Sequence, residues 1–108
     1  MLKVDTTTLT EIIDQCFDYS MDDRFSDDEQ TALLADGKRL RGLLMNLLSA
    51  QFDDGTPAVL AANQQLATVN ASISNAAIAL ANKAKTLNDV ASLVGNLDKL
   101  LNVAAAFL

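Results

Sequence analysis

Apolar residues recur every seven positions through the second half of the chain. One line of this repeat consists of Val59, Leu66, Ile73, Leu80, Leu87, Val94, Leu101 and Leu108, and a second line consists of Ala62, Val69, Ala76, Lys83, Val90, Leu97 and Ala104. Two such lines share one face of a helix and are typical of coiled-coil packing against a partner helix. An ideal helix drifts off a seven-residue repeat, so a sustained repeat also favours a left-handed supercoil. The pattern therefore predicts a long packing helix in this half.

Two shorter amphipathic helices are predicted before it. A capping box that begins at Thr8 is followed by apolar residues at helical spacing, which predicts a helix over residues 8–19. A second capping box begins at Ser26, and the leucines after it predict a helix over residues 27–51. Acidic residues crowd the segment between these two helices.

A turn separates the second helix from the third. Residues 53–55 are Asp-Asp-Gly, Thr56 is a natural N-cap and Pro57 fits the first helical position. Because no later proline interrupts the repeat, we expect one unbroken helix over residues 57–107, about 75 Å long at a rise of about 1.5 Å per residue. The second helix would cover only about half of that length.

This difference in length predicts the architecture. We expect a single all-α domain over residues 1–108, a helical hairpin with a short N-terminal helix that completes a bundle by homodimerisation. The interface is predicted at the carboxyl end of the third helix, at Leu87, Val90, Leu93, Val94, Leu97, Leu100, Leu101, Phe107 and Leu108. The alternative is a compact four-helix monomer whose third helix breaks near Thr86, which has capping-box spacing to Asp89. The continuous register favours the unbroken helix.

Lys83 is a charged residue within the predicted apolar seam. Such a residue either fixes register and subunit number at some cost in stability, or extends its amine to solvent along its methylene groups. The second interpretation is favoured. From the position of Lys83 in the seam, we expect Lys83→Leu to raise thermal stability and allow a change in subunit number.

The chain is acidic, and its charged residues are unevenly distributed. The net charge is −6, and residues 1–57 contain twelve acids and five bases, whereas residues 58–108 contain two acids and three bases. Phosphate binding needs concentrated lysines and arginines, and the one local basic group is Lys38, Arg39 and Arg41. We therefore expect no direct binding to nucleic acid.

The acidic segment between the first two helices resembles the loop of an EF-hand, which binds calcium. Five candidate ligands fall at the ligand positions of such a loop, namely Asp18, Ser20, Asp22, Ser26 and Glu29. The central position that requires glycine for a sharp turn is Asp23 instead. A solvated acidic loop that leads into the N-cap at Ser26 is therefore favoured, and calcium binding is the alternative.

Catalytic chemistry has few candidates in this sequence. The chain contains no histidine, which removes the usual general base and the commonest transition-metal ligand. We expect neither enzymatic activity nor a cofactor. The single cysteine, Cys16, lies among apolar helical positions and is predicted to be a core thiol. A signal-peptide layout and a membrane-spanning apolar stretch are both lacking, so a cytoplasmic location is expected.

Three functions are consistent with this pattern. The favoured one is a non-catalytic helical module for protein–protein interaction and oligomerisation, which offers its acidic end or a remaining apolar flank to another protein. A second is a small secreted or translocated helical protein whose apolar third helix acts on a membrane or in a larger assembly. A third is an acidic inhibitor that occupies the groove of a basic nucleic-acid-binding protein.

Overall fold

Helices form most of the chain. The computed structural model describes residues 2–76 and 83–102. Four α helices are found there: α1 (Thr6–Tyr19), α2 (Asp27–Leu47), α3 (Pro57–Ser74) and α4 (Lys83–Leu101). The described residues contain no β-strand, only an isolated antiparallel bridge between Leu2 and Phe52. The radius of gyration is 13.9 Å, which is that of a compact domain, and the all-α prediction is confirmed.

The first helix begins two residues earlier than predicted. Its N-cap is Asp5, whose carboxylate accepts hydrogen bonds from the Thr8 backbone N–H at 3.1 Å and from the Thr8 hydroxyl at 2.7 Å. Aspartate is at least as good an N-cap as threonine, so the earlier start is the more stable one. Hydrogen bonds from the Thr8 hydroxyl and the Thr8 N–H lower the pKa of Asp5.

The capping box at Ser26 is confirmed as the start of α2. Ser26 Oγ accepts a hydrogen bond from the Glu29 N–H at 3.2 Å, and Glu29 Oε1 accepts one from the Ser26 N–H at 2.7 Å. The helix ends at Leu47, before the predicted end at residue 51. Phe52 accounts for the early end, because it is fully buried and joined to Leu2 by backbone hydrogen bonds of 2.7 and 3.0 Å. The chain must leave the helix to make this pairing.

The prediction of one unbroken third helix is wrong. α3 ends at Ser74, and α4 returns along it in the opposite direction. Gln65 Oε1 accepts a hydrogen bond from Asn96 at 3.0 Å, while Ala58 near the start of α3 shares a groove with Leu100 near the end of α4. The seven-residue repeat is therefore divided between two antiparallel helices, because a repeat defines an apolar face and does not require a continuous helix.

Over the described residues, the four helices of the predicted alternative are confirmed, but α3 ends at Ser74, earlier than the predicted break near Thr86. Asn75 is the C-cap of α3, and its side-chain amide donates to the Ala71 carbonyl at 3.2 Å. Asparagine competes in this way with the backbone bonds that would continue a helix. Thr86 instead lies inside α4 and is buried. The repeat positions Leu80, Ala104 and Leu108 lie outside the described residues.

All four helices contribute to one core. α1 packs against α2 and α3, and α4 packs against the same two helices. Fully buried members of the core include Leu9, Ile12, Leu33, Leu40, Leu66, Ile73, Leu93 and Leu97. The apolar face of α4 is thus covered by helices of its own chain. The difference in helix length that predicted a dimer is absent, and the dimer stays a prediction without that support.

Most residues predicted to form the dimer interface lie in this core. Val90, Leu93, Val94, Leu97 and Leu100 are buried, and Leu87 and Leu101 are partly buried against the core. Phe107 and Leu108 lie outside the described residues. The buried stripe of α4 is rotated relative to the predicted seam, because the line of Leu93 and Leu100 is more deeply buried than the line of Leu87 and Leu101.

Candidate interaction surface

Two of the predicted calcium ligands, Ser20 and Asp22, make other contacts in the loop after α1. Asp18 lies inside α1, and the Ser20 hydroxyl donates to the Phe17 carbonyl at 2.6 Å. Asp22 forms an ion pair with Arg24, with 2.6 Å between Asp22 Oδ2 and a terminal nitrogen of Arg24. Hydrogen bonds from Arg24 lower the pKa of Asp22 to about 2. The charge of this carboxylate is already paired within the loop.

The remaining two candidates, Ser26 and Glu29, form the capping box of α2. Over residues 2–76 and 83–102, no three acidic, cysteine or histidine side chains are placed to hold a metal ion together. The segment that resembles an EF-hand loop therefore serves as an ordered entrance to α2.

Lys83 joins the start of α4 to this same loop. Its Nζ lies 3.1 Å from Glu29 Oε1, donates to the Arg24 carbonyl at 3.1 Å and lies 5.2 Å from the centre of the Phe25 ring. The favoured prediction of an amine extended to solvent is wrong, because the side chain is only 19% exposed and has an anion, a carbonyl and a ring as partners. The pKa of Glu29 is lowered chiefly by the Ser26 N–H, and Lys83 contributes to the shift.

Cys16 is a core thiol, as predicted. It is fully buried where α1 meets α2. A Cβ added at Gly37 of α2 would lie 3.1 Å from Phe17 Cε1 and 3.2 Å from Cys16 Cβ, so only glycine allows the two helices this close approach without a shift. Burial raises the pKa of Cys16 to about 12, and the charge of Asp36 adds to the rise. The thiol is therefore not a nucleophile in the folded protein.

An exposed line of apolar and basic residues follows the outer face of α2. We name it the α2 outer stripe, and its members are Leu34, Lys38, Arg41, Met45 and Leu48. Leu34, Met45 and Leu48 are 39%, 67% and 52% exposed, and both cations are also exposed. Each member directly follows a residue of the core-facing line, which consists of Leu33, Gly37, Leu40, Leu44 and Leu47. The α2 outer stripe is thus rotated by about 100° from the core.

Two carboxylates occupy the outer face of the neighbouring helix α1. On one side of α1, Phe17 meets α2; on the other, Glu11 accepts a hydrogen bond from Asn70 of α3 at 2.9 Å. Asp14 and Asp18 fall between these two directions on the helical wheel and are exposed. The outer faces of α1 and α2 therefore carry opposite charges side by side.

Contacts between α1 and α2 define which of these charges lie at the same height along the helices. The two helices are antiparallel, with Gly37 against Phe17 and the Arg41 guanidinium carbon 5.5 Å from the centre of the Phe17 ring. Asp14 lies about one turn before Phe17 and Arg41 about one turn after Gly37, whereas Asp18 and Lys38 directly follow Phe17 and Gly37. The pairs at about equal height are Asp14 with Arg41 and Asp18 with Lys38.

A groove runs between α3 and α4. This groove has a volume of about 360 Å³, and its lining consists of Ala58, Ala61, Ala62, Gln65, Asn96, Lys99 and Leu100. Lys99 is its one ionisable residue, so the groove has no acid–base pair and no set of metal ligands. It is a contact surface without candidate chemistry.

The sequence-based predictions did not include the α2 outer stripe and placed the interface on α4. A signal was present, because Leu34, Met45 and Leu48 keep the same four-and-three spacing as the core line. Lys38 and Arg41 occupy the middle of the line and interrupt it in any count of apolar residues.

Within the described part of the chain, no helix combines the length and the apolarity needed to cross a bilayer. In the comparisons with known proteins, no family model, no curated protein and no solved structure matches this chain.

Proposed function

We propose that this protein is a non-catalytic helical module for protein–protein interaction, and that the α2 outer stripe is its binding surface. The observation that carries the proposal is the alignment of three large, exposed apolar side chains, Leu34, Met45 and Leu48, on one helix face. Single exposed apolar residues are ordinary on protein surfaces, whereas several that are aligned on one helix face, here with two cations between them, favour an interaction site.

The spacing of the stripe fits a helical partner. Its members alternate at intervals of four and three residues, which is the spacing that a second helix contacts along a shared seam. From Leu34 to Leu48 the stripe extends about 21 Å at about 1.5 Å per residue, or roughly four turns. Recognition of an amphipathic helix uses anchors at this spacing.

The two cations determine the chemistry of the partner. Lys38 and Arg41 lie in the middle of the stripe, where their methylene groups add apolar contact area. Neither forms an ion pair with any carboxylate of residues 2–76 and 83–102. A partner that supplies both apolar side chains and carboxylates would match this surface.

The nearby ionisable and potentially nucleophilic side chains have structural roles, which supports a binding function over a catalytic one. Asp22 is paired with Arg24, Glu29 caps α2 and holds Lys83, and Cys16 is enclosed in the core. These contacts hold the loop and α1 against α2. The binding surface thus lies on a supported helix.

The test is photo-cross-linking in cells that express the protein. A benzophenone amino acid is introduced at Met45 in the stripe and, as a matched control, at Ser92, which is exposed on α4. We expect light-dependent adducts from position 45 that are absent from position 92 and that disappear when Arg41→Glu is added. If position 45 yields no adduct beyond those of position 92, the proposed function is wrong.

A further inference from the structure

The geometry points to a specific occupant of this surface: we infer that the α2 outer stripe binds a second copy of this chain. In the inferred dimer, α1 of each copy lies antiparallel on α2 of the other copy, about a two-fold axis parallel to the helices. This inference rests on the proposed function, because it names the partner of the same surface.

Two-fold symmetry about this axis fixes the register of the contact. A half-turn about an axis parallel to the helices keeps every residue at its own height and exchanges the positions of α1 and α2 across the interface. Residues at equal height within one chain therefore face each other between the copies. The facing pairs are Asp14 with Arg41 of the second copy and Asp18 with Lys38 of the second copy.

Charge complementarity supports this arrangement over the other symmetric ones. Each of the two ion pairs occurs twice in the dimer, so four exposed cations meet four exposed carboxylates. A two-fold axis perpendicular to the helices would instead place α1 on α1 and α2 on α2, which opposes like charges. The fold thus carries both halves of a self-complementary surface on adjacent helices.

The apolar members of the face complete the contact at its ends. Met21 follows α1 and is 76% exposed, the largest exposure among the large apolar side chains of the described residues. Continued along the antiparallel pair, it lies at about the height of Leu34 in α2. The dimer would bury these two side chains against each other across the interface, with Met45 and Leu48 at the opposite end.

The test is absolute mass by light scattering after size exclusion, with charge-reversed variants. The acidic variant carries Lys38→Glu and Arg41→Glu, and the basic variant carries Asp14→Lys and Asp18→Lys. All four side chains are exposed, and circular dichroism of each variant verifies that it folds. The matched control is Lys99→Glu, an exposed cation on α4.

We expect the wild-type chain and the control to reach twice the chain mass of 11.5 kDa. Each variant alone dimerises at least about tenfold more weakly, because attraction is replaced by repulsion at symmetric sites. An equimolar mixture of the two variants recovers a heterodimer. A chain that carries all four reversals recovers its homodimer, which only contact of α1 with α2 predicts.

Two results overturn the inference. One is a wild-type chain that remains a monomer up to about 1 mM, and the other is a dimer that the reversals leave unchanged. Either result is separate from failure of the proposed function. If the cross-linker at position 45 captures only proteins of other masses, the surface binds a different partner and the proposed function stands.

Discussion

The pair α1 and α2 and the pair α3 and α4 have similar inner faces and different outer faces. Both pairs supply fully buried leucines and isoleucines to one core. Outside, four of the five large exposed apolar side chains of the described residues belong to the first pair and its loops, and one, Leu60, belongs to α3. Exposed charges of both signs occur on the first pair and also on α4, whereas α3 has no charged residue over Pro57–Ser74.

This difference teaches that the two kinds of surface have separate tasks. Apart from Pro57 and Leu60, the outer positions of α3 are alanines and neutral polar residues, which offer little contact area. The outer positions of α1 and α2 combine large apolar groups with Lys38 and Arg41, which form no ion pair within the described residues, and this composition suits the proposed interface. Lys83 of α4 links the second pair to the first through Glu29 of α2 and the Arg24 carbonyl of the preceding loop.

The largest expected effect is on the free energy of unfolding, and it differs between substitutions on the buried and the exposed side of α2. Leu40 is fully buried and Leu34 is 39% exposed on the α2 outer stripe. We expect Leu40→Ala to lower the free energy of unfolding by about 3 kcal/mol through loss of packing, and Leu34→Ala to lower it by less than about 0.5 kcal/mol. Urea denaturation at low protein concentration measures both. An equal loss for Leu34→Ala would show that the stripe is packed and not available for binding.

A second contrast is between two helical glycines, Gly37 and Gly95, which differ in how closely another helix approaches them. Gly37 of α2 meets Phe17 and Cys16 closely, whereas Gly95 of α4 has open space where a Cβ would be. Gly37→Val should lower the free energy of unfolding by about 1–3 kcal/mol through steric overlap. Gly95→Ala should raise it by about 0.5–1 kcal/mol, because alanine favours the helix. Thermal unfolding of the two variants checks the opposite signs.

Loss of the Lys83 contacts that link the two helix pairs should have a smaller effect on the free energy of unfolding, and Lys85 offers a matched control. Lys83→Met keeps an unbranched apolar stem and removes the charge that contacts Glu29 and the Phe25 ring. We expect a loss of about 1 kcal/mol in the free energy of unfolding. Lys85→Met, which removes an exposed pair with Asp89, should cost less than about 0.5 kcal/mol. A stability gain for Lys83→Met would contradict the link.

The smallest effects concern pH and lie mainly at the entrances of α1 and α2. The pKa of Asp22 is lowered from 3.8 to about 2, and the pKa of Asp5 is also lowered from 3.8. The pKa of Glu29 is lowered from 4.5. A lowered folded-state pKa gives stability that is present above the ordinary value and lost as pH falls through the folded value. Burial raises the pKa of Asp36, which opposes the loss in part. Urea midpoints should therefore fall between about pH 5 and about pH 2; a midpoint that rises on acidification would contradict the assignment.

Local interactions made several features predictable from the sequence. The capping box at Ser26 and the proline at residue 57 set the starts of α2 and α3, because each signal acts within one helical turn. The burial of Cys16 followed from its place in an apolar line. All three predictions are confirmed.

The features that could not be predicted from the sequence depend on contacts between residues that are distant along the chain. The end of α2 depends on the pairing of Phe52 with Leu2, and the position of Lys83 depends on Arg24 and Glu29. The seven-residue repeat continues in the sequence from α3 into α4, so the same repeat fits one long helix or two antiparallel ones. Prediction of the α2 outer stripe would have required knowing which face of α2 the other helices cover.

The buried thiol of Cys16 has a practical consequence for studying this molecule. With a pKa of about 12, only about one thiol in ten thousand is ionised at pH 8, and the side chain is sealed between α1 and α2. Alkylation therefore proceeds only in molecules whose first two helices have separated. The chain contains one cysteine, so the rate of its labelling measures how often the helix pair that carries the proposed binding face opens.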